Sequence, residues 1–237
     1  MSDLDYEIIW SEVWGDMQRY GPTHRHRRRI FGELLKSIPA GSIHTIADIG
    51  CGEGSNLAFF AQKYPQAQPF GFDVSQTALD RARGGLPRAT FELLDVVQRR
   101  AAQTFDLVTC AEVVEHLADD VTALKNIYAM TRHYALFSTV QGRFREWEKS
   151  IGHVRSYAPG ELQHKLANVG FRTVKIVQWG FPFYSPLYRD LFTVGSVEGI
   201  SHGRYGFGKK LACQALYTVF ALNRHDRGDV IFALVAK

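Results

Sequence analysis

The chain has 237 residues, with 28 Lys+Arg against 24 Asp+Glu for a formal charge of +4. Apolar residues make up 46% and charged residues 22%, the balance of an ordinary globular protein, which excludes disorder, collagen and a small disulfide scaffold. No stretch reaches the ~18 uncharged apolar residues of a membrane span.

The opening MSDLDYEIIW is acidic and lacks the basic head of a signal peptide. Cys51, Cys110 and Cys213 have neither a pairing pattern nor metal-ligand spacing, which suits a reducing cytoplasm. The cationic run His24 to Arg29 precedes apolar positions Ile30, Phe31, Leu34 and Leu35, so it reads as the solvated face of an amphipathic helix rather than a nucleic-acid contact. Ile43–Ile49 then reads as a buried strand and Ser55–Tyr64 as a helix ending before Pro65. Pro69–Phe72 is a second strand, and Gln76–Arg83 a helix stopped by Gly84-Gly85. Ala89–Leu94 and Phe105–Cys110 are the third and fourth strands, and helical spacing runs from Val113 through Met130. Tyr134–Val140, a helix over Pro159–Val169 closed by Gly170, Val174–Trp179 and a final strand Asp229–Val235 complete the pattern.

Strand–helix alternation of this kind predicts a mostly parallel seven-stranded sheet with helices on both faces, binding its ligand at the carboxyl ends of the strands. Residues 1–42, with Trp10, Trp14 and Tyr20, precede it as an N-terminal helical cap. Residues 43–179 and 229–237 form the sheet domain. Residues 180–228 are an insertion before the last strand, aromatic at Phe181, Phe183, Tyr184, Tyr188, Phe192, Tyr205 and Phe207 and glycine-rich from Gly199 to Gly208. An insertion of that length is expected to be a lid or an interface.

Asp48-Ile49-Gly50-Cys51-Gly52-Glu53-Gly54 takes a strand through a glycine turn into a helix. A pyrophosphate there would meet the carboxylates of Asp48 and Glu53, and Ser55 stands where the dinucleotide fingerprint wants Gly or Ala. A ligand with a positive group and no phosphate fits better. The stretch resembles motif I of the class I S-adenosylmethionine-dependent methyltransferases, with a Rossmann-like fold. Asp73-Val74 ends the second strand, Asp95-Val96 follows the third, and Phe105-Asp106-Leu107-Val108 leads to Ala111-Glu112-Val113-Val114-Glu115-His116-Leu117. The last run resembles the signature of the subfamily with ubiquinone-biosynthesis O-methyltransferases and many small-molecule enzymes. The resemblance implies that Asp48, Gly50, Cys51, Gly52, Gly54, Asp73, Val74, Asp95, Val96, Ala111 and Glu112 bind S-adenosylmethionine. Within it, Asp73 takes the ribose hydroxyls and Asp95 lies near the adenine. Tyr20, Arg25 and Arg28 are expected over the methionine carboxylate.

Methyl transfer from a sulfonium needs alignment and desolvation more than acid catalysis. A hydroxyl acceptor adds the need for a base, and His116 and His153 are the candidates. Helical spacing would also bring Glu112, Glu115 and His116 onto one face as a divalent-metal site, with His153 as a further ligand. Otherwise Glu112 lines the cofactor and Glu115 favours a helix N-terminus. The aromatic wall from Trp179 to Pro186 suits a planar or apolar small-molecule acceptor. Leu211–Leu222, apolar nearly all round, belongs under a lid, in a dimer interface or against a lipid-like substrate, so monomer and homodimer both stay open. The alternatives are a metal-dependent RNA 2′-O-methyltransferase, and a non-catalytic chain that binds a partner through its insertion.

Overall fold

Short apolar runs punctuated by glycine and proline pair into one sheet in the computed structural model, which describes Glu7 and residues 16–191 and 203–237. Trp10, Trp14, Phe192, Gly199 and His202 lie outside the described residues. The strands are β1 Thr45–Ile49, β2 Gln68–Asp73, β3 Thr90–Leu93, β4 Phe105–Ala111, β5 Thr131–Val140, β6 Arg172–Trp179 and β7 Val230–Ala236. Their order is β3-β2-β1-β4-β5-β7-β6, with β7 antiparallel to both neighbours and the other pairings parallel. The chain winds outward from β1 to β3, then crosses back to β4, so the switch point lies between the tips of β1 and β4.

The helices are α1 Met17–Tyr20, α2 Pro22–Leu35, α3 Ser55–Lys63, α4 Gln76–Gly85, α5 Asp120–Met130, α6 Glu146–Ser150, α7 Glu161–Asn168 and α8 Phe207–Phe220. Period-2 side-chain alternation divides each central strand between two cores. In β7, Val230, Phe232 and Leu234 join the core under α2 and α3, while Ile231, Ala233 and Val235 join the one under α5 and α7. On α2, Ile30, Phe31, Leu34 and Leu35 are buried at the expected helical spacing. His26 is buried with them, stacked on Trp179 of β6 and on Tyr217 of α8, with its Nε2 2.8 Å from the Tyr217 carbonyl.

One expected element breaks. The helix foreseen over Val113–Met130 is a single 3-10 turn at Val114–His116, followed by α5 from Asp120. Glu112 sits at φ 58°, a region that side-chain-bearing residues seldom adopt, so helical continuity from 112 is impossible. Glu112, Glu115 and His116 therefore do not share a helix face.

Candidate active site

Beyond Ile49 the chain turns sharply through Gly50, Gly52 and Gly54, all at positive φ. At Gly50 a Cβ would stand 2.3 Å from Cγ2 of Val113, so the turn after β4 closes directly over the turn after β1. Cys51 is packed beneath this loop, and burial together with the nearby Asp73 and Asp48 carboxylates pushes its thiol well up, which leaves it a small packing residue.

Three of the expected acids stand on the strand tips, each in a different setting. Asp73 accepts from the Gly52 amide at 2.8 Å and the Ser75 amide at 3.0 Å, so it ties the two loops together and still has lone pairs for a diol. Burial raises its carboxyl, against the pull of those amides. Val74 beside it is 45% exposed, facing the open side of the tip. Asp48 is fully buried, takes one hydrogen bond from Thr109 Oγ1 at 2.5 Å, and leaves Oδ2 with no partner. Desolvation lifts it to about 7. Asp95 accepts from the Val97 amide and from the Gln98 side chain, both at 2.9 Å, above the buried Val96.

At the tip of β4, Ala111 is buried and Glu112 is held in its strained conformation from two sides. Its amide donates to Ser138 O at 2.9 Å, and its carboxylate takes the Ser138 hydroxyl at 3.0 Å and the Arg27 guanidinium at 2.8 Å. Backbone strain of this kind collects at functional sites. Sequence reasoning points to Arg25 and Arg28, but Arg27 is the residue that reaches Glu112. Arg25 instead lies over the Tyr217 ring and donates to Gln214, on α8, while Arg28 donates to the Gln18 carbonyl and feels the charge of Glu53. Tyr20 stacks on Tyr205. Glu7 had no signal either: its carboxylate accepts from the Gln76 and Thr77 amides at 2.6 and 3.0 Å, and so caps α4 next to Asp73.

Deeper in, Glu115, His116 and His153 converge, with ligand-capable atoms all within 4.8 Å of one another. Glu115 is fully buried; Oε2 accepts from Thr139 at 2.8 Å and Oε1 has no partner. Burial and the neighbouring Glu112 push its carboxyl up. The two imidazoles meet edge to face at 4.7 Å. Burial depresses both, His153 to about 3 with repulsion from His116 added, so both are neutral at physiological pH.

The insertion packs on the end of β6. Trp179 stacks on Tyr184 at 5.0 Å, and both pack edge-on against Phe220. Under it runs a charge network that carries no local sequence signal: Arg189 pairs with Glu148, both almost wholly buried, and Arg145 bridges Asp190 and Asp229 at 2.8 and 2.9 Å. This clamps residues 185–190 to α6 and to the start of β7.

The observations meet the needs of S-adenosylmethionine. Asp48 presents an unpartnered buried oxygen suited to an ammonium, Asp73 an acceptor suited to a ribose, and the turn at Gly50 excludes any side chain.

The profile of a methyltransferase domain matches residues 47–137. Trans-aconitate 2-methyltransferase of Methylobacterium radiotolerans is 33% identical over 104 residues, covering 44% of this chain and 40% of that one. The enzyme of the same name from an Azoarcus species is 26% identical over 180 residues, 76% and 70% of the two chains. The first of these matches spans less than half of the relative's length. Magnesium protoporphyrin IX methyltransferase of Synechocystis with bound SAH superposes with a TM-score of 0.59 at 15% identity, over 90% of this chain and 83% of that one. The N-methyltransferase NodS of Bradyrhizobium japonicum, in complex with S-adenosyl-L-homocysteine, gives 0.58 at 19% identity over 93% and 90%. At such identities the superpositions speak for the fold, and the fold agrees with the domain match. Residues 47–137 thus resemble a methyltransferase domain, and the chain has the fold of solved methyltransferases.

Proposed function

We propose that the protein transfers a methyl group from S-adenosylmethionine to an oxygen of a small-molecule acceptor. The observation that carries this reading is Asp48, a buried carboxyl with an unpartnered oxygen at the tip of β1, one loop away from the diol-ready carboxylate of Asp73. The similarity to trans-aconitate 2-methyltransferases supports a small molecule over an RNA. S-adenosylmethionine supplies an electrophilic methyl on a sulfonium whose leaving group is a neutral thioether.

The chain's own groups then have separable tasks. Asp48, Asp73 and the glycine turn hold the cofactor, with Asp95 and Val96 at its adenine end and Ala111 and Glu112 along its side. Arg27 holds Glu112 in place at the mouth. Residues 16–42, 180–191 and 203–228 cap the strand tips and exclude water, and the aromatic wall around Trp179 and Tyr184 orients an acceptor with planar or apolar character. His153 or His116, neutral because buried, takes the proton from an acceptor hydroxyl. A carboxylate acceptor, such as the trans-aconitate of the relatives, needs no such base.

Titration calorimetry with S-adenosylmethionine, followed by a methylation screen of phenols, sugars and small carboxylic acids, tests the reading. Binding together with turnover of a small acceptor supports it; absence of cofactor binding sinks it. For a hydroxyl acceptor, His153→Ala lowers kcat and leaves cofactor affinity unchanged, whereas for a carboxylate it leaves both.

A second reading rests on the convergence of Glu115, His116 and His153, two nitrogens and a carboxylate in a buried cluster. That donor set suits a first-row transition metal that would orient and acidify a hydroxyl. The natively purified protein would then carry metal by elemental analysis, lost in Glu115→Gln. Metal-free protein with full activity in EDTA excludes this reading and leaves the first untouched.

A further inference from the structure

We propose that the outer face of α8 and the cationic groove beside it seat the protein on an anionic lipid surface. From residue 207 to 222 every exposed residue is uncharged, over a length of about 22 Å. Phe207 is 84% exposed, Leu211 61% and Leu222 69%, and these lie within one arc of the helix together with Ala215 and Val219. A helix whose outer face met only water would carry charges there. The charged residues of α8, Lys209 and Lys210, are half-buried at its flank, their ammonium groups over the rings of Tyr205 and Tyr20 at 3.9 and 4.5 Å.

The surroundings of the stripe say what covers it. Arg204 stands exposed just ahead of the helix. On the α2 side a groove of about 500 Å³ is lined by Arg25, Arg28, Arg29, Lys36 and Lys63, with the rings of Phe59 and Tyr217 as walls. Its one acid, Glu33, is already paired with Lys36 at 2.8 Å. Tyr217 belongs to α8, so groove and stripe share a helix. An apolar face bordered by cations is the pattern of a helix lying in a membrane interface, with acyl chains against the apolar arc and lipid phosphates in the groove. A second copy of the chain fits less well, since it would bring the same cations against these. The cationic run at His24–Arg29, read from the sequence as a solvated face, thereby gains a partner.

The test is co-sedimentation of the full chain with phosphatidylcholine vesicles, with and without phosphatidylglycerol, at low and high salt. The expected result is salt-sensitive binding to the anionic vesicles, reduced about tenfold or more in Leu211→Glu/Leu222→Glu. Arg29→Glu/Lys63→Glu should abolish the preference for anionic vesicles. Circular dichroism and S-adenosylhomocysteine titration check that both variants remain folded. Failure of the wild type to bind vesicles overturns the proposal. Equal binding by the leucine variant also overturns it, as does a dimer in light scattering that the leucine variant dissociates.

Discussion

The strand tips of β1 to β4 and the cap formed by α2, residues 180–191 and α8 meet at the Arg27–Glu112 ion pair, but they are assembled in different ways. At the tips, function and position are set within a few residues: Asp48, Gly50, Gly52 and Gly54 follow one strand, Asp73 ends the next, and their loops are joined by short hydrogen bonds. In the cap, the decisive contacts join residues far apart in the chain. His26 meets the Tyr217 carbonyl across 191 positions, Arg145 reaches Asp229 across 84, and Arg189 reaches Glu148 across 41. A local cradle is written in motifs, whereas a long-range clamp leaves only scattered charged residues to read.

The largest effect is expected at the clamp. Removing one member of a buried ion pair strands the other, so Arg189→Met should destabilise the protein by roughly 3–5 kcal/mol, read as a lower midpoint in urea unfolding. An effect below about 1 kcal/mol would mean that the insertion is not clamped there.

Asp48 tests the tips through pH. Its carboxyl is raised in the folded state to about 7 while the unfolded chain ionises it near 4, so the folded state holds the extra proton between those values. Ligand-free stability attributable to this group therefore falls as pH rises from about 4 to about 7, then levels off. Asp48→Asn should remove that slope in unfolding experiments. S-adenosylmethionine should bind the wild type more tightly as pH rises through 7, because the ionised carboxylate is the form that accepts an ammonium; a flat profile would remove Asp48 from the cofactor site.

Asp73→Ala separates binding from folding less cleanly, since it also frees the Gly52 and Ser75 amides. Loss of charge-assisted hydrogen bonds to the ribose predicts about a hundredfold weaker cofactor binding by calorimetry. The smallest effect belongs to Arg27→Ala at the boundary of the two regions. Losing its ion pair with the partly exposed Glu112 should raise the cofactor KM about fivefold with little change in melting temperature.

The same contrast explains how much was legible beforehand. All seven strands could be placed within a few residues because each is bounded by glycine, proline or polar turns, and β1, β4, β5 and β7 bury residues on both faces, whereas the edge strands β3 and β6 are largely exposed. The mostly parallel sheet followed from strand–helix alternation. The helix expected after β4 failed because spacing alone cannot reveal that Glu112 takes a positive φ, held there by Ser138 and Arg27 from other elements. For the same reason the pattern suggested Glu112, Glu115 and His116 as one set, whereas the folded chain gathers Glu115 and His116 with His153. Arg27 could not be singled out among five neighbouring basic residues, since which of them faces the cleft depends on how α2 docks on the sheet. Glu7 lies still further from any local signal.

One feature of the sheet bears on how the chain comes into being. β7 is the last strand made, yet it lies between β5 and β6. As the polypeptide leaves the ribosome, β6 has no neighbour in the sheet, and β5 presents an open apolar edge until residues 230–236 arrive. Edges of that kind are where strands pair with the wrong chain. The nascent protein therefore carries its greatest hazard of misassociation late, when most of the cofactor cradle can already form and only the strand that seals the sheet is still to come.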